Sequence, residues 1–173
     1  VPVGSRVLMV LPPDEAYGDS PPDGAPIQPG DTLVFVVDVL GAHGADETAK
    51  GAPAPTEDDS LPYVSISPRE PEVAIPPGRE APSRLVAMPV VVGKGPKVEA
   101  GQTVVVQYKG VLWRNGKIFD SSWSSGQPFV TTIGTGAVIP GWDKGLVGET
   151  VGSRVMLVVP PKDGYGQAGS GQI

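Results

Sequence analysis

The residues able to do chemistry are concentrated between positions 104 and 166, and they are aromatic rather than nucleophilic. Tyr108, Phe119, Phe129, Trp142 and Tyr165 lie there in a setting of glycine, valine and serine. Trp113 and Trp123 fall on what read as loops; they are expected at the surface or a rim, with no assigned role. Trp142 stands in Ile139-Pro140-Gly141-Trp142-Asp143-Lys144-Gly145-Leu146, the only short helical pattern of the stretch. This predicts a pocket built from aromatics around one short helix. The chain has no cysteine, which excludes disulfides, thiolate catalysis and cysteine-type zinc sites. The single histidine, His43, lies in a flexible-looking Gly-Ala-His-Gly segment, so histidine acid/base or triad chemistry has no support. Glu57-Asp58-Asp59 reads as solvated charge rather than a metal site. Gly134-Thr135-Gly136 reads as a turn, because a phosphate loop needs a different strand–helix setting. No cofactor and no metal are expected.

The elements that must position these residues come from an uneven chain. Its 173 residues suffice for one domain and a linker, or two small domains. Only 39% are hydrophobic, and 24 glycines with 21 prolines border on a disordered composition. Their uneven spread predicts ordered parts and a loose part. A net charge of −6, with no basic patch to neutralise phosphates, argues against nucleic acid as a partner. No apolar run approaches the roughly twenty residues of a membrane span. The chain starts without Met and ends abruptly, so a piece of a longer protein is expected.

An internal repeat organises the chain. Val3-Gly4-Ser5-Arg6-Val7-Leu8-Met9-Val10-Leu11-Pro12-Pro13 recurs as Val151-Gly152-Ser153-Arg154-Val155-Met156-Leu157-Val158-Val159-Pro160-Pro161, an offset of 151 − 3 = 148. Tyr17-Gly18 and Tyr165-Gly166 follow at the same offset. A period that long signals domain duplication.

Residues 3–11 and 32–40 are predicted strands, the second apolar enough for a central position buried on both sides or for a twisted sheet wrapped round a helix. Residues 41–60 lack periodicity and read as a mobile linker. Short extended pieces follow at 63–66 and 73–77. Residues 85–92 form a strand that Pro89 places at an edge or a bulge. A strand at 103–108, an Asn115-Gly116 hairpin and a strand at 129–133 lead to the helix. There Ile139, Trp142 and Leu146 share a face, Pro140 suits the first turn and Gly148 the stop. At under three turns the helix needs a sheet wrapped over it.

Tyr-Lys-Gly, Gly-Lys-Ile-Phe-Asp-Ser-Ser, Pro-Phe, Val-Ile-Pro-Gly-Trp, Gly-Leu, Val-Gly-Ser-Arg and Tyr-Gly stand in the order and spacing of the FKBP-type peptidyl-prolyl isomerases. The resemblance covers about residues 85–173, with a partial second match over 1–40. The whole resembles a tandem-domain member of the actinobacterial exported type. It implies an α+β fold, an antiparallel β-sheet curled around one short α-helix. Residues 1–40 would be the C-terminal part of a first copy, 41–60 a flexible linker, and 61–173 a second copy lacking its last strand. Trp142 would floor the pocket, and Tyr108, Phe119, Phe129, Val138 and Ile139 would wall it. Asp120 would sit at the rim, hydrogen-bonded to Tyr108. Tyr165 would offer its hydroxyl to the bound peptide, and Ile173 would belong to the flap beyond. Ser125 stands where the family often has an arginine near the aspartate. The pocket-facing aromatic of the last strand has one candidate, Phe35, in the first copy.

The implied reaction suits such residues. Rotation about a peptide C–N bond costs roughly 18–20 kcal/mol because resonance must be broken, and uncatalysed X-Pro isomerisation takes roughly 10–100 s. No nucleophile or proton transfer is required. The twisted amide has lost charge separation and tolerates a dry apolar site better than the planar amide, so differential binding can catalyse the rotation. The resemblance implies unfolded or exported polypeptides with X-Pro bonds as partners, macrolides such as tacrolimus or rapamycin as ligands, and an extracellular or cell-envelope location. The alternatives are a non-catalytic, chaperone-like module holding proline-containing segments and a purely structural surface domain. A further expectation is that strand 32–40 could stand in for the missing strand of the second copy.

Overall fold

The computed structural model describes residues 1–54 and 58–171. The chain divides into two compact units, Val1–Gly44 and Ala45–Ile173. In the first, β1 (Arg6–Leu11) pairs antiparallel with β2 (Leu33–Asp38), Met9 opposite Phe35 and Arg6 opposite Asp38. Arg6 and Asp38 close an exposed ion pair at 2.6 Å. The expectation that the second strand is buried on both sides does not hold. Val34 and Val36 are each more than 60% exposed, because β1 is the one strand paired with β2 among the described residues.

The second unit holds the α-helices and the remaining strands. β3 (Gly51–Pro53), β4 (Tyr63–Val64), β5 (Val73–Ala74), β6 (Val86–Gly93), β7 (Thr103–Val106), β8 (Lys109–Val111) and β9 (Ile118–Ser121) come first. α1 (Ser122–Ser125), β10 (Phe129–Thr132), α2 (Pro140–Leu146) and β11 (Arg154–Val158) complete it. Strand pairs are antiparallel: β11–β6–β3, β7 with β10, β8 with β9, and β4 with β5. The class is α+β, with the short helix α2 packed against β11 and β6. Two expectations need correction. Gly51–Pro53, read as linker, is a strand on β6, so the second unit begins inside the expected linker. A second helical turn, α1, accompanies α2; its serines satisfy their own backbone, Ser124 and Ser125 donating to Ser121 and Ser122 carbonyls.

Pro89 lies in the central strand of three rather than at an edge, and a bulge makes room for it. The β6–β11 register shifts between Arg154 and Val155, which face Val91 and Pro89. A missing N–H is tolerated where the ladder is already interrupted. The Asn-Gly signal is met: Gly116, at φ +69°, donates to the Leu112 carbonyl and closes the β8–β9 hairpin.

Residues 61–80 form a strap over the sheet face away from α2. Leu61 joins Val90, Met156 and Val158 in the core, with Val64 and Trp113 packed against them. Arg154 fastens the strap, donating to the carbonyls of Ser65, Ser67 and Arg69 at 2.8, 2.9 and 3.1 Å. Burial there lowers the Arg154 pKa from its usual value. The repeat thus uses one arginine in two ways: Arg6 on an exposed pair, Arg154 as a half-buried clasp. Arg154→Ala should cost about 1–3 kcal/mol, because three carbonyls lose a charged donor. Urea unfolding monitored by tryptophan fluorescence measures this, and a midpoint unchanged from the native chain would contradict the clasp.

Candidate active site

The helix reaches the sheet through two glycines one turn apart. A Cβ on Gly141 would lie 2.7 Å from Val159, and one on Gly145 would lie 2.5 Å from Leu157. Both glycines are buried, so the backbone of α2 rests on these two valine and leucine side chains. Trp142 lies between the two glycines in sequence. Its ring meets Tyr108 at 5.3 Å and Phe129 at 6.0 Å, and Tyr108 meets Phe129 at 5.8 Å. All three pairs are edge-on, the arrangement that aligns positive ring edges with negative faces.

The loop entering α2 carries Val138 and Ile139, both half-buried, with Ile139 capping the helix. Asp143 holds that loop: its two carboxylate oxygens accept from the Gly134 and Gly136 amides, each at 2.7 Å. Both glycines have φ +78°, a conformation that side chains oppose. Neither this brace nor its aspartate was anticipated from sequence, although an acidic residue in a helix's first turn is the signal to look for.

Tyr108, in the link between β7 and β8, meets Asp120 of β9. The phenol donates to Asp120 Oδ2 at 2.5 Å, and Asp120 Oδ1 accepts the Ser121 amide at 2.9 Å. Ser125, at the position expected to hold an arginine, instead donates to the Ser122 carbonyl. The backbone of Tyr108 is fixed by Ser122, whose hydroxyl accepts the Tyr108 amide at 2.9 Å and donates to Gln107. Ser122 is buried and was not singled out from sequence. Phe119 lies at the β8–β9 irregularity with its ring over Gly110; a Cβ there would sit 2.5 Å from the ring.

Tyr165 is 42% exposed and follows a buried anchor. Asp163 is 5% exposed and ion-paired at 2.5 Å with Lys144 of α2, which ties the Tyr165 loop to the helix bearing Trp142. A cleft of about 340 Å³ opens beside Tyr108, Asp120 and Phe129 and runs along Ser121, Ser122, Ser124 and Ser125. Trp142 does not line it; its ring packs with Tyr108 beside the cleft. Tyr108, Phe129 and Trp142 are therefore brought together, with Asp120 bonded to the first. Phe35 lies on β2 of the 1–44 unit, 42% exposed. Ile173 lies outside the described residues. Trp113 belongs to the core margin, its indole N–H donating to the Arg79 carbonyl at 2.9 Å, which corrects the surface or rim reading.

With this geometry in view, the relatives are informative. The family described as FKBP-type peptidyl-prolyl cis-trans isomerase matches residues 95–173. The FK506-binding protein of Streptomyces anulatus is 43% identical over 106 residues, covering 61% of this chain and 85% of that protein. The peptidyl-prolyl cis-trans isomerase FKBP9 of Rattus norvegicus is 33% identical over 171 residues, 99% of this chain, while this chain spans only 24% of that protein. That alignment runs across both copies of the repeat, in keeping with a tandem arrangement. The crystal structure of AtFKBP13 is 40% identical, with a TM-score of 0.48, over 53% of this chain and 77% of that one. The chain belongs to the FKBP-type peptidyl-prolyl cis-trans isomerases, enzymes of X-Pro bond rotation.

Burial first, then the hydrogen bond and the charge of Asp120, with a smaller effect from Tyr165, push the Tyr108 phenol up to about 12. Raised above its unfolded value near 10, it contributes stability that is full below about pH 10 and lost as pH rises toward about 12. The thermal midpoint of the native chain should fall across that window more steeply than that of Tyr108→Phe. Parallel curves for the two proteins would contradict the assignment.

Proposed function

We propose that this chain isomerises X-Pro bonds by holding the proline ring against Trp142 and the twisted amide within the Tyr108–Phe129–Trp142 cluster. The mutual edge-on packing of these three rings carries the reading. Rings that brace one another keep their positions when a substrate arrives. The site then costs little to organise and offers an apolar surface matched to an amide that has lost its charge separation. Phe119, Val138 and Ile139 extend that apolar wall. The Asp120 carboxylate, fixed by Tyr108 and its own neighbouring amide, is proposed as the rim, and half-exposed Tyr165 is proposed to offer its hydroxyl to a flanking carbonyl. Ile173 joins the proposed substrate-contacting set on the strength of the family resemblance.

The proposed substrates are proline-containing segments of unfolded or exported polypeptides. The exposed positions of Asp120, Phe129 and Tyr165 leave room for a chain to cross the site. Macrolides such as tacrolimus or rapamycin are proposed to occupy the same rings. A location outside the cell or in its envelope is proposed from the resemblance to the exported actinobacterial type.

A protease-coupled assay on X-Pro tetrapeptides tests the activity. The native chain should accelerate isomerisation. Trp142→Leu should lose about 10- to 100-fold in kcat/KM, as removing two ring contacts and the pocket floor withdraws roughly 1.4–2.8 kcal/mol. Peptide binding without acceleration would refute catalysis and leave a proline-binding module.

A further inference from the structure

The strap at residues 61–80 lies ahead of the matched family region, yet it touches the back of the hairpin that carries the site. Glu70 is the point of contact. Its Oε1 is 3.0 Å from the Lys109 ammonium and 3.4 Å from the Ser121 hydroxyl, which donates to it. Lys109 also donates to the neighbouring Pro71 carbonyl at 3.1 Å. The Lys109 side chain is only 14% exposed and Ser121 6%. An ammonium so enclosed needs a partner charge.

The two residues that Glu70 engages are cross-strand partners, Lys109 opposite Ser121. Lys109 directly follows Tyr108, and Ser121 directly follows Asp120. Successive side chains on a strand point to opposite faces. Asp120 and Ser121, successive in β9, therefore point to opposite faces, and Glu70 grips β8 and β9 on the face away from the Asp120 carboxylate, at the residue that follows Tyr108. The Ser121 amide is itself a donor to Asp120, so fixing Ser121 also fixes one side of that carboxylate. At Ser125 there is no cation to brace Asp120 from the loop side.

We infer that Glu70 is a positioning residue for the Tyr108–Asp120 pair, acting through Lys109 and Ser121. This rests on reading the pair as part of the isomerase site. A strap segment outside the pocket thus determines how closely the two strands register where the phenol meets the carboxylate. Arg154 supports it from the other end by holding the carbonyl of Arg69, the residue before Glu70.

The test is a double-mutant cycle on the whole chain with Glu70→Ala and Asp120→Ala. Glu70→Ala should lower kcat/KM about fivefold or more in the native background, and less than twofold when Asp120 is already alanine. Glu70→Gln keeps the acceptor for Ser121 and should retain a larger share of activity than Glu70→Ala. It also serves if the alanine variant folds poorly with Lys109 unpaired. A second readout needs no catalysis. The Tyr108 Cζ resonance, assigned against Tyr108→Phe, should titrate at a lower pH in the Glu70 variants than in the native chain, moving from about 12 toward 10. Equal loss in both backgrounds with an unmoved Tyr108 titration would overturn the inference and leave Glu70 a purely structural residue. A native chain without isomerase activity would refute the proposed function instead, and the titration alone would then decide on Glu70.

Discussion

The site depends on the close approach of a seven-residue helix to the sheet. So short a helix has little stability of its own. It stands because Gly141 and Gly145 let its backbone settle on Val159 and Leu157, with approaches that any side chain at those two positions would obstruct. The absence of a Cβ at two positions on one helical face thus sets the height of Trp142 above the strands. Everything else at the site is arranged against that height. Asp143 ties the preceding loop to the helix, Lys144 and Asp163 tie the following loop to it, and Tyr108 and Phe129 meet the indole edge-on. Glycine is costly in a helix, by roughly 1 kcal/mol against alanine. Here that cost is offset by packing that no larger residue allows.

A division of labour follows from the distribution of polarity. The rings supply an apolar surface, and the polar groups nearby are engaged with one another. Tyr108 spends its hydrogen on Asp120, and Asp120 takes one amide beside it. Ser122 and Ser125 satisfy local backbone. In the proposed mechanism, groups committed in this way would not reorganise as the amide twists, which is the condition for fixed dipoles to favour the rotated state. The reaction has no need of a thiolate or an imidazole, and the sequence contains no cysteine and one histidine, His43, far from these rings in the chain.

Much of this was legible because local chemistry and long-range order coincided. Pro140 and Gly148 bracket α2, Asn115-Gly116 turns the hairpin, and the 148-residue repeat marks the duplication. Tyr108, Phe129 and Trp142 were named from the family resemblance, and the three rings pack together. The strap was not legible. Its tie to the hairpin joins Glu70 to Lys109, thirty-nine residues apart, and in sequence each looks like an ordinary solvated charge. Gly51–Pro53 has a linker's composition and becomes a strand only because β6 offers it a partner. Trp113 read as a surface or rim residue until the strap supplied both an apolar cover and the Arg79 carbonyl. In each case the missing information was a tertiary neighbour, which composition and periodicity do not carry.

The central claim is that the ring cluster both binds the proline and turns the bond. NMR exchange spectroscopy on a short X-Pro peptide with a substoichiometric amount of the native chain addresses both halves in one sample. Cis–trans cross-peaks that appear only with the protein, together with a shift of the Trp142 indole N–H signal on adding peptide, are the predicted result. Peptide-induced shifts confined to residues outside the Tyr108–Phe129–Trp142 cluster, or an indole shift with no exchange cross-peaks, would contradict it.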